Sequence, residues 1–161
     1  MLRVIEWILP AGLHRVGLKV AYRMRHRWRS WRKAPITGCV VIVSDLQGRL
    51  LMLRHSYGPN TWALPGGGVK RSEDPMLAAS RELAEELGLT GGKIKRVGKI
   101  ENTVSGSPHT THVFTLKIDR EPCPDNREVI EARFFPPHSL PEPMNEPTRQ
   151  QLALWRAVRA V

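Results

Sequence analysis

"GGGVKRSEDPMLAASRELAEELGL", residues 66–89, opens with three glycines and carries four glutamates in a chain whose formal net charge is +10. The segment contains a complete set of helix signals. Asp74 suits the N-cap, Pro75 suits the first helical position, and Gly88 suits the residue that ends a helix. These signals predict a helix over residues 75–87 that follows a glycine-rich loop.

Three of the glutamates crowd together on the predicted helix. Glu82, Glu85 and Glu86 fall within an arc of about 100°, where spacings of three and four residues make like charges repel by roughly 0.2–0.5 kcal/mol per pair. They also lie in the C-terminal half, where the helix dipole disfavours negative charge. A solvated acidic face is one interpretation, but a bound divalent cation would offset both costs.

The glycines before the helix indicate what such a cation would assist. Mg²⁺ prefers oxygen ligands and is typically held by a few carboxylates together with substrate phosphates. A loop without side chains lets backbone groups approach a metal or a phosphate closely. Carboxylates beside a glycine-rich loop therefore predict metal-assisted chemistry on a phosphate.

The spacing within residues 67–89 resembles the Nudix box. The family pattern is Gly, five residues, Glu, seven residues, Arg-Glu, an aliphatic residue, any residue, Glu-Glu, any residue, Gly and an aliphatic residue. Every specified position is matched, by Gly67, Glu73, Arg81, Glu82, Leu83, Glu85, Glu86, Gly88 and Leu89. The flanking strand pattern extends the likeness over roughly residues 36–140.

This resemblance implies hydrolysis of a nucleoside diphosphate linked to another moiety, with Mg²⁺ or, alternatively, Mn²⁺. It implies that the metal-binding and catalytic carboxylates are Glu82, Glu85 and Glu86. It also implies that the Gly66 carbonyl is a metal ligand, and that Arg81 pairs with Glu73 to orient the helix and its glutamates. A nearby glutamate would take the proton from the attacking water.

A further acid is expected downstream of the box. Family members often place one about six residues before an aromatic strand residue. Glu128 lies six residues before Phe134, and Glu131 is the runner-up. The resemblance therefore implies that Glu128 is a metal-binding and catalytic group, and both Glu82 and Glu128 stay open as the general base.

The box does not identify the substrate. The candidate substrate contacts are Arg54, Tyr57, Gly67 and Lys70. Lys70 and Arg71 place two cations beside the loop, although a solvated pair would give the same pattern. Trp62 is expected in the core. His109 and His112 lack partners at metal-ligand spacing and are expected to be structural or solvent-facing.

Strand-like segments flank the predicted helix on both sides. They are residues 36–43, 49–56, 95–104, 109–118 and 128–136, with a short apolar piece at residues 61–64. The apolar side of the central helix is expected to consist of Met76, Ser80, Leu83 and Leu87. A terminal helix is expected to place on one face Leu152, Trp155, Val158 and Val161. This order predicts a Nudix-type α/β/α sandwich with a mixed β-sheet over residues 36–161.

Residues 1–35 form a separate basic region in front of that domain. They contain nine of the 25 Lys/Arg but only one of the 15 Asp/Glu. Apolar residues recur there at three- or four-residue steps, which predicts a basic amphipathic helical arm, typical of membrane-interface elements. Three interpretations stay open: packing on the domain or on a second subunit in a homodimer, docking of residues 1–33 on an anionic membrane surface, and, with less support, contact with nucleic acid.

The remaining sequence features concern location. No run is long enough to cross a bilayer, and the first apolar stretch lacks a cleavage site of the secretory type. An arginine-rich transit segment stays open. Cys39 and Cys123 are too few for a disulfide framework. We therefore expect a cytoplasmic enzyme, peripheral at the membrane if the arm docks there, with RNA 5′-end processing and a non-catalytic nucleotide-sensing or scaffold module as alternatives.

Overall fold

The computed structural model describes residue 17, residues 35–104 and residues 107–160. Almost all of the predicted basic arm, and Val161, lie outside the described residues. The described strands and helices are, in chain order, β1 (Ile36–Ser44), β2 (Leu50–His55), β3 (Trp62–Ala63), β4 (Gly66–Gly68), α1 (Pro75–Leu87), β5 (Lys95–Val104), β6 (Ser107–Lys117), β7 (Val129–Phe135) and α2 (Glu146–Arg159). Neither of these two helices has the length and apolar character needed to span a bilayer.

The central strand is buried on both of its faces. Successive side chains of a strand point to opposite faces of the sheet. β1 accordingly directs Val41 and Val43 into one apolar cluster and Val40 and Ile42 into another. Because all four are buried, the sheet needs a cover on each side.

The two helices provide these covers. α1 buries Leu83 and Leu87 in the first cluster. α2 buries Leu152 and Trp155 in the second, which also contains Trp62, as expected. The predicted α/β/α sandwich is therefore confirmed.

The sheet is mixed and is organised around β1. This strand pairs in parallel with β6 along its length, antiparallel with β4 through residues 38–40, and with β2 where Ser44 lies opposite Leu50. β2 also pairs with β3 and β7, and β6 pairs with β5. The glycine strand β4 thus lies beside the start of β1, and the β1–β2 turn lies at its end.

The helix prediction over residues 75–87 is confirmed at both ends. The Asp74 carboxylate accepts the N–H groups of Met76 and Leu77 at 2.7 and 3.3 Å. Gly88 has a φ of 65°, a left-handed conformation that favours glycine. Local capping signals alone were enough to delimit this helix.

Two expectations about helix faces were wrong. Ser80 of α1 is exposed, because the buried stripe runs through Leu83 and Glu86 instead. Val158 of α2 is 51% exposed, because the last turn of this helix borders an open cleft instead of the sheet. The first difference brings a carboxylate into the interior.

Candidate active site

The glycine-rich loop forms β4 and lies between β1 and α1. A Cβ on Gly66 would overlap the backbone of Cys39, and a Cβ on Gly67 would overlap the Glu82 carboxylate. A side chain is therefore excluded at Gly66 by the backbone of the neighbouring strand, whereas at Gly67 it would displace the Glu82 carboxylate. These contacts bring the loop backbone directly against the acidic part of α1.

Arg81 is the centre of a hydrogen-bond network beside this loop. Its Nε and Nη2 atoms donate to the two carboxylate oxygens of Glu73 at 2.9 and 3.1 Å. Nη1 donates to Glu82 at 2.7 Å and to Glu85 at 3.3 Å, and Nη2 also reaches the Gly68 carbonyl at 3.1 Å. One guanidinium thus bridges three of the box carboxylates and the loop, which offsets their mutual repulsion.

Glu73 anchors the loop as well as the helix. The Arg81 hydrogen bonds, aided by the Lys70 N–H at 2.8 Å, lower the pKa of Glu73 to about 2. The Lys70 side chain itself is exposed. The expected pairing of Arg81 with Glu73 is therefore present, whereas Lys70 joins this network only through its backbone.

Glu86 is the buried carboxylate of the cluster, with only 4% of its surface exposed. Its described hydrogen bond comes from the Gly66 N–H at 3.3 Å. Burial raises the pKa of Glu86 well above its ordinary value, and the negative charges of Glu82, Glu128 and Asp125 raise it further, against the opposing effect of the Gly66 N–H. A cation at this point would offset both the cost of burying the Glu86 charge and its repulsion by the neighbouring carboxylates.

Glu128 lies on the loop between β6 and β7, and its negative charge acts on Glu86. Backbone bonds fasten this loop to the end of α1, from the Cys123 N–H to the Leu87 carbonyl at 2.8 Å and from the Asp125 N–H to the Glu86 carbonyl at 3.0 Å. The loop therefore brings an acid from about 40 residues downstream to the same site.

Asp125, which sequence reasoning missed, shapes that loop. Its Oδ1 atom accepts the N–H groups of Arg127, Glu128 and Val129 at 3.1, 3.0 and 2.9 Å. Such a turn is typical of Asp followed by Asn, and the "PDN" string was the signal that could have found it. Asp125 fixes the backbone from which Glu128 projects.

Tyr57 and Arg54, both predicted substrate contacts, have different surroundings. The Tyr57 hydroxyl donates to Glu128 Oε2 at 3.3 Å, so this side chain borders the acidic site. Arg54 donates to Glu131 at 3.2 Å and to Asn60. Its hydrogen-bonding capacity is therefore directed to protein groups.

Glu131, the runner-up for the downstream acid, is paired with arginines. It forms ion pairs with Arg54 at 3.2 Å and with Arg133 at 2.8 Å. Glu128, in contrast, influences the charge of Glu86. The surroundings favour Glu128 as the acid of the cluster.

A cavity of about 200 Å³ adjoins the other side of the glycine strand. Its walls include Gly66 and Gly67, together with His109 and Thr111 of β6 and Gln151 of α2. The Thr111 hydroxyl and the His109 Nδ1 atom are 3.3 Å apart. His109 therefore borders a cavity next to the loop, a position that its sequence neighbours did not indicate.

The donor set of the acidic cluster fits a hard divalent cation. Among the described residues, no three or more His, Cys, Asp or Glu side chains already converge as metal ligands would, since Arg81 holds Glu82 and the Gly66 N–H holds Glu86. The available donors are nevertheless carboxylate and carbonyl oxygens, which Mg²⁺ prefers. The buried Glu86 carboxylate beside like charges is the feature that a cation would stabilise.

Comparisons with known proteins agree with this geometry. The family model of the NUDIX domain matches residues 34–155. The chain belongs to the NUDIX domain family. The match includes all seven described strands and most of α2, so the family assignment covers both the acidic cluster and the fold that supports it.

Curated relatives and solved structures give the same assignment. Diphosphoinositol polyphosphate phosphohydrolase 2 of Rattus norvegicus is 35% identical over 80 residues, 50% of this chain and 44% of the relative. RNA pyrophosphohydrolase of Saccharophagus degradans is 43% identical over 58 residues, 36% of this chain and 34% of the relative. The MutT NUDIX hydrolase from Burkholderia pseudomallei is 25% identical with a TM-score of 0.67, over 74% of this chain and 97% of that one. The chain thus spans less than half the length of these two curated relatives.

Proposed function

We propose that this chain is a Mg²⁺-dependent Nudix hydrolase that cleaves the pyrophosphate bond of a nucleoside diphosphate linked to another moiety. The observation that carries the proposal is the buried Glu86 carboxylate. The negative charges of Glu82 and Glu128 act on it, and it accepts a hydrogen bond from the glycine strand β4. A buried cluster of like charges is costly without a cation. Family membership supplies the reaction class.

The cation, Mg²⁺ or Mn²⁺, would be held by Glu82, Glu85, Glu86, Glu128 and the Gly66 carbonyl. When bound, it would neutralise the diphosphate oxygens and lower the pKa of a water molecule. Gly67 lets the loop backbone lie directly against the Glu82 carboxylate, because a side chain there would overlap that group.

The proton of the attacking water passes to Glu82 or Glu128 as the water oxygen bonds to phosphorus and the bridging phosphorus–oxygen bond breaks. Arg81 orients Glu82 through a hydrogen bond of 2.7 Å, and Tyr57 orients Glu128 through one of 3.3 Å. Glu73 acts as a positioning residue, because its two carboxylate oxygens hold the Arg81 guanidinium.

The moiety attached to the diphosphate would occupy the cavity of about 200 Å³ beside Gly66 and Gly67. Its polar wall groups, which include His109 and Gln151, suit a hydrogen-bonding group. Tyr57, Gly67 and Lys70 are retained as substrate contacts. Arg54 is a weaker candidate for that role, because Glu131 and Asn60 already accept its hydrogen bonds.

Two other phosphate anhydrides are candidate substrates because of the relatives' names. The RNA pyrophosphohydrolase and the diphosphoinositol polyphosphate phosphohydrolase share the box region with this chain. A 5′-phosphorylated RNA end or a diphosphoinositol polyphosphate would present the same kind of bond. A non-catalytic sensor or scaffold has less support, because every specified box position is retained.

The division into an arm, residues 1–35, and a domain, residues 36–161, is also a proposal. It is supported by the start of β1 at Ile36 and by the family match, which begins at residue 34. Docking of the arm on an anionic membrane, its contact with nucleic acid, homodimerisation and a cytoplasmic location all stay predictions.

A substrate screen tests the proposed function. The full chain is incubated with ADP-ribose, nucleotide sugars, dinucleoside polyphosphates, a diphosphoinositol polyphosphate and 5′-triphosphorylated RNA, each with Mg²⁺ or Mn²⁺. Mass spectrometry identifies the products, and Glu86→Gln is the blank. We expect one compound class to be cleaved at its pyrophosphate bond only by the unmodified chain with metal. No cleavage of any class, or equal cleavage by the blank, would refute the proposal.

A further inference from the structure

A second, larger cleft lies at the end of β1 that is remote from the glycine strand. It has a volume of about 730 Å³ and is bounded by the β1–β2 turn, by β5 and β6, and by the last turns of α2. The glycine strand pairs with β1 through residues 38–40, whereas the cleft begins at Ile42 and Ser44. The cleft and the acidic cluster are therefore different sites.

Basic side chains dominate the walls of this cleft. The five basic residues among its lining residues are Lys93, Lys95, Arg96, Lys117 and Arg159. Asp45, the acid among the described lining residues, is already paired with Arg49 at 2.5 Å. The cleft thus presents a surplus of positive charge to solvent.

Three lysines of the cleft form no ion pair with any of the described residues. Across residues 35–104 and 107–160, none of the recorded ion pairs involves Lys93, Lys95 or Lys117. Lys99, which lies on β5 with Lys95, is in contrast paired with Glu101 at 2.6 Å. Three cations around one concave surface repel one another. An anionic ligand would remove that repulsion.

The same cleft has an apolar part. The exposed large hydrophobic residues of the described chain are Leu46, Leu77, Ile130 and Val158. Two of these, Leu46 and Val158, line the cleft, and Trp155 lies beside them. The combination of an apolar surface with a cationic rim fits a ligand that has both an apolar and an anionic part.

We propose that this cleft binds a soluble, phosphate-bearing small molecule that also carries an apolar or aromatic group. Its volume lies within the range of roughly 300–1,000 Å³ that is typical of small-molecule sites. Flexible lysines serve phosphates as point charges, and Leu46 and Val158 would contact the apolar group. Because the cations are supplied by the protein, binding here needs no divalent metal.

ATP in the presence of EDTA is a suitable probe, monitored by amide and indole NMR shifts on the full chain. We expect saturable shifts at Lys95, Lys117 and the Trp155 indole, and tighter binding of ATP than of tripolyphosphate. Shifts confined to residues 66–68, no saturable shifts, or equal affinities for the two compounds would overturn the proposal.

A matched pair of charge reversals localises the binding. Lys95→Glu should weaken ATP binding at least about tenfold, since it replaces an attraction by a repulsion. Lys99→Glu makes the same change on the same strand but outside the cleft, and it should leave the affinity within about twofold. Equal losses in both variants would indicate a non-specific charge effect and contradict the site.

Vesicles of 70% phosphatidylcholine and 30% phosphatidylserine separate a soluble ligand from a lipid headgroup. If the cleft is a small-molecule site, Lys95→Glu and Lys99→Glu should bind these vesicles equally. Vesicle binding that is lost only in Lys95→Glu, without ATP binding to the unmodified chain, would replace the proposal by a lipid-docking surface.

Discussion

The candidate site is assembled from two segments that are built in different ways. The box, residues 67–89, is continuous, and Arg81 hydrogen-bonds both to its acids and to the glycine loop. The segment that carries Glu128 has no regular structure, and it depends on Asp125 and on two backbone bonds to the end of α1. One part of the site is thus fixed by local sequence and the other by tertiary contacts.

This difference predicts unequal consequences of mutation. Replacing a proposed metal-binding carboxylate of the box should affect activity with little effect on folding, because the Asp74 cap and the Arg81–Glu73 pair hold the helix and loop without it. Changes that release the downstream segment should affect stability and activity together. The following variants test that contrast.

Glu86→Gln should have the largest effect on activity. It removes the buried carboxylate while retaining its size, and we expect hydrolysis to fall roughly a thousandfold, since metal stabilisation of the transition state amounts to several kcal/mol. Steady-state kinetics with the best substrate of the screen measure the loss, and circular dichroism checks that the fold is intact. Turnover within tenfold of the unmodified chain would be incompatible with the assignment.

Glu128→Gln should reduce turnover by about a hundredfold, a typical contribution of an acid–base group. Glu131→Gln is the matched control, because this acid lies three residues away but is paired with Arg54 and Arg133. Single-turnover rates at saturating Mg²⁺ compare the two variants. If Glu131→Gln caused the larger loss, the downstream acid would have been assigned wrongly.

Two adjacent glycines of β4 separate an effect on catalysis from an effect on folding. Gly67→Ala forces the Glu82 carboxylate to move, and we expect about a tenfold loss of kcat with little change in unfolding free energy. Gly66→Ala overlaps the backbone of Cys39 and should lower the unfolding free energy by about 1–3 kcal/mol. Urea denaturation and kinetics on both variants check the contrast, which fails if the two variants behave alike.

Asp125→Ala should act mainly on stability. Three backbone N–H groups lose their acceptor, and a loss of about 1–3 kcal/mol in unfolding free energy is expected, with a several-fold fall in activity as Glu128 becomes less well positioned. Asp119→Ala, an exposed acid at the beginning of the same loop, is the control and should change neither quantity. Unchanged stability in Asp125→Ala would mean that other contacts hold the loop.

The sequence predicted what local signals encode. Asp74, Pro75 and Gly88 delimit α1 without any tertiary information, and the box spacing identified the acids beside the glycine loop. The burial of Glu86 was not predicted. A helical wheel places Ser80 and Glu86 by periodicity alone, whereas the packing of α1 on β1 decides which of the two side chains is buried.

Features made by distant parts of the chain could not be predicted in the same way. The ion pair between Arg54 and Glu131 depends on the pairing of β2 with β7, which places the two residues opposite each other. The basic cleft brings the β1–β2 turn together with Lys117 and Val158. The turn and Val158 are more than 100 residues apart in the chain. Only the register of the sheet and the placement of α2 bring these groups together.

Mn²⁺ binding measured by calorimetry tests most directly whether the two segments form one cation site. Glu86→Gln and Glu128→Gln should each weaken Mn²⁺ binding at least about tenfold relative to the unmodified chain, a loss of about 1.4 kcal/mol, while Glu131→Gln should leave it unchanged. Equal Mn²⁺ affinity in all four proteins would contradict the account.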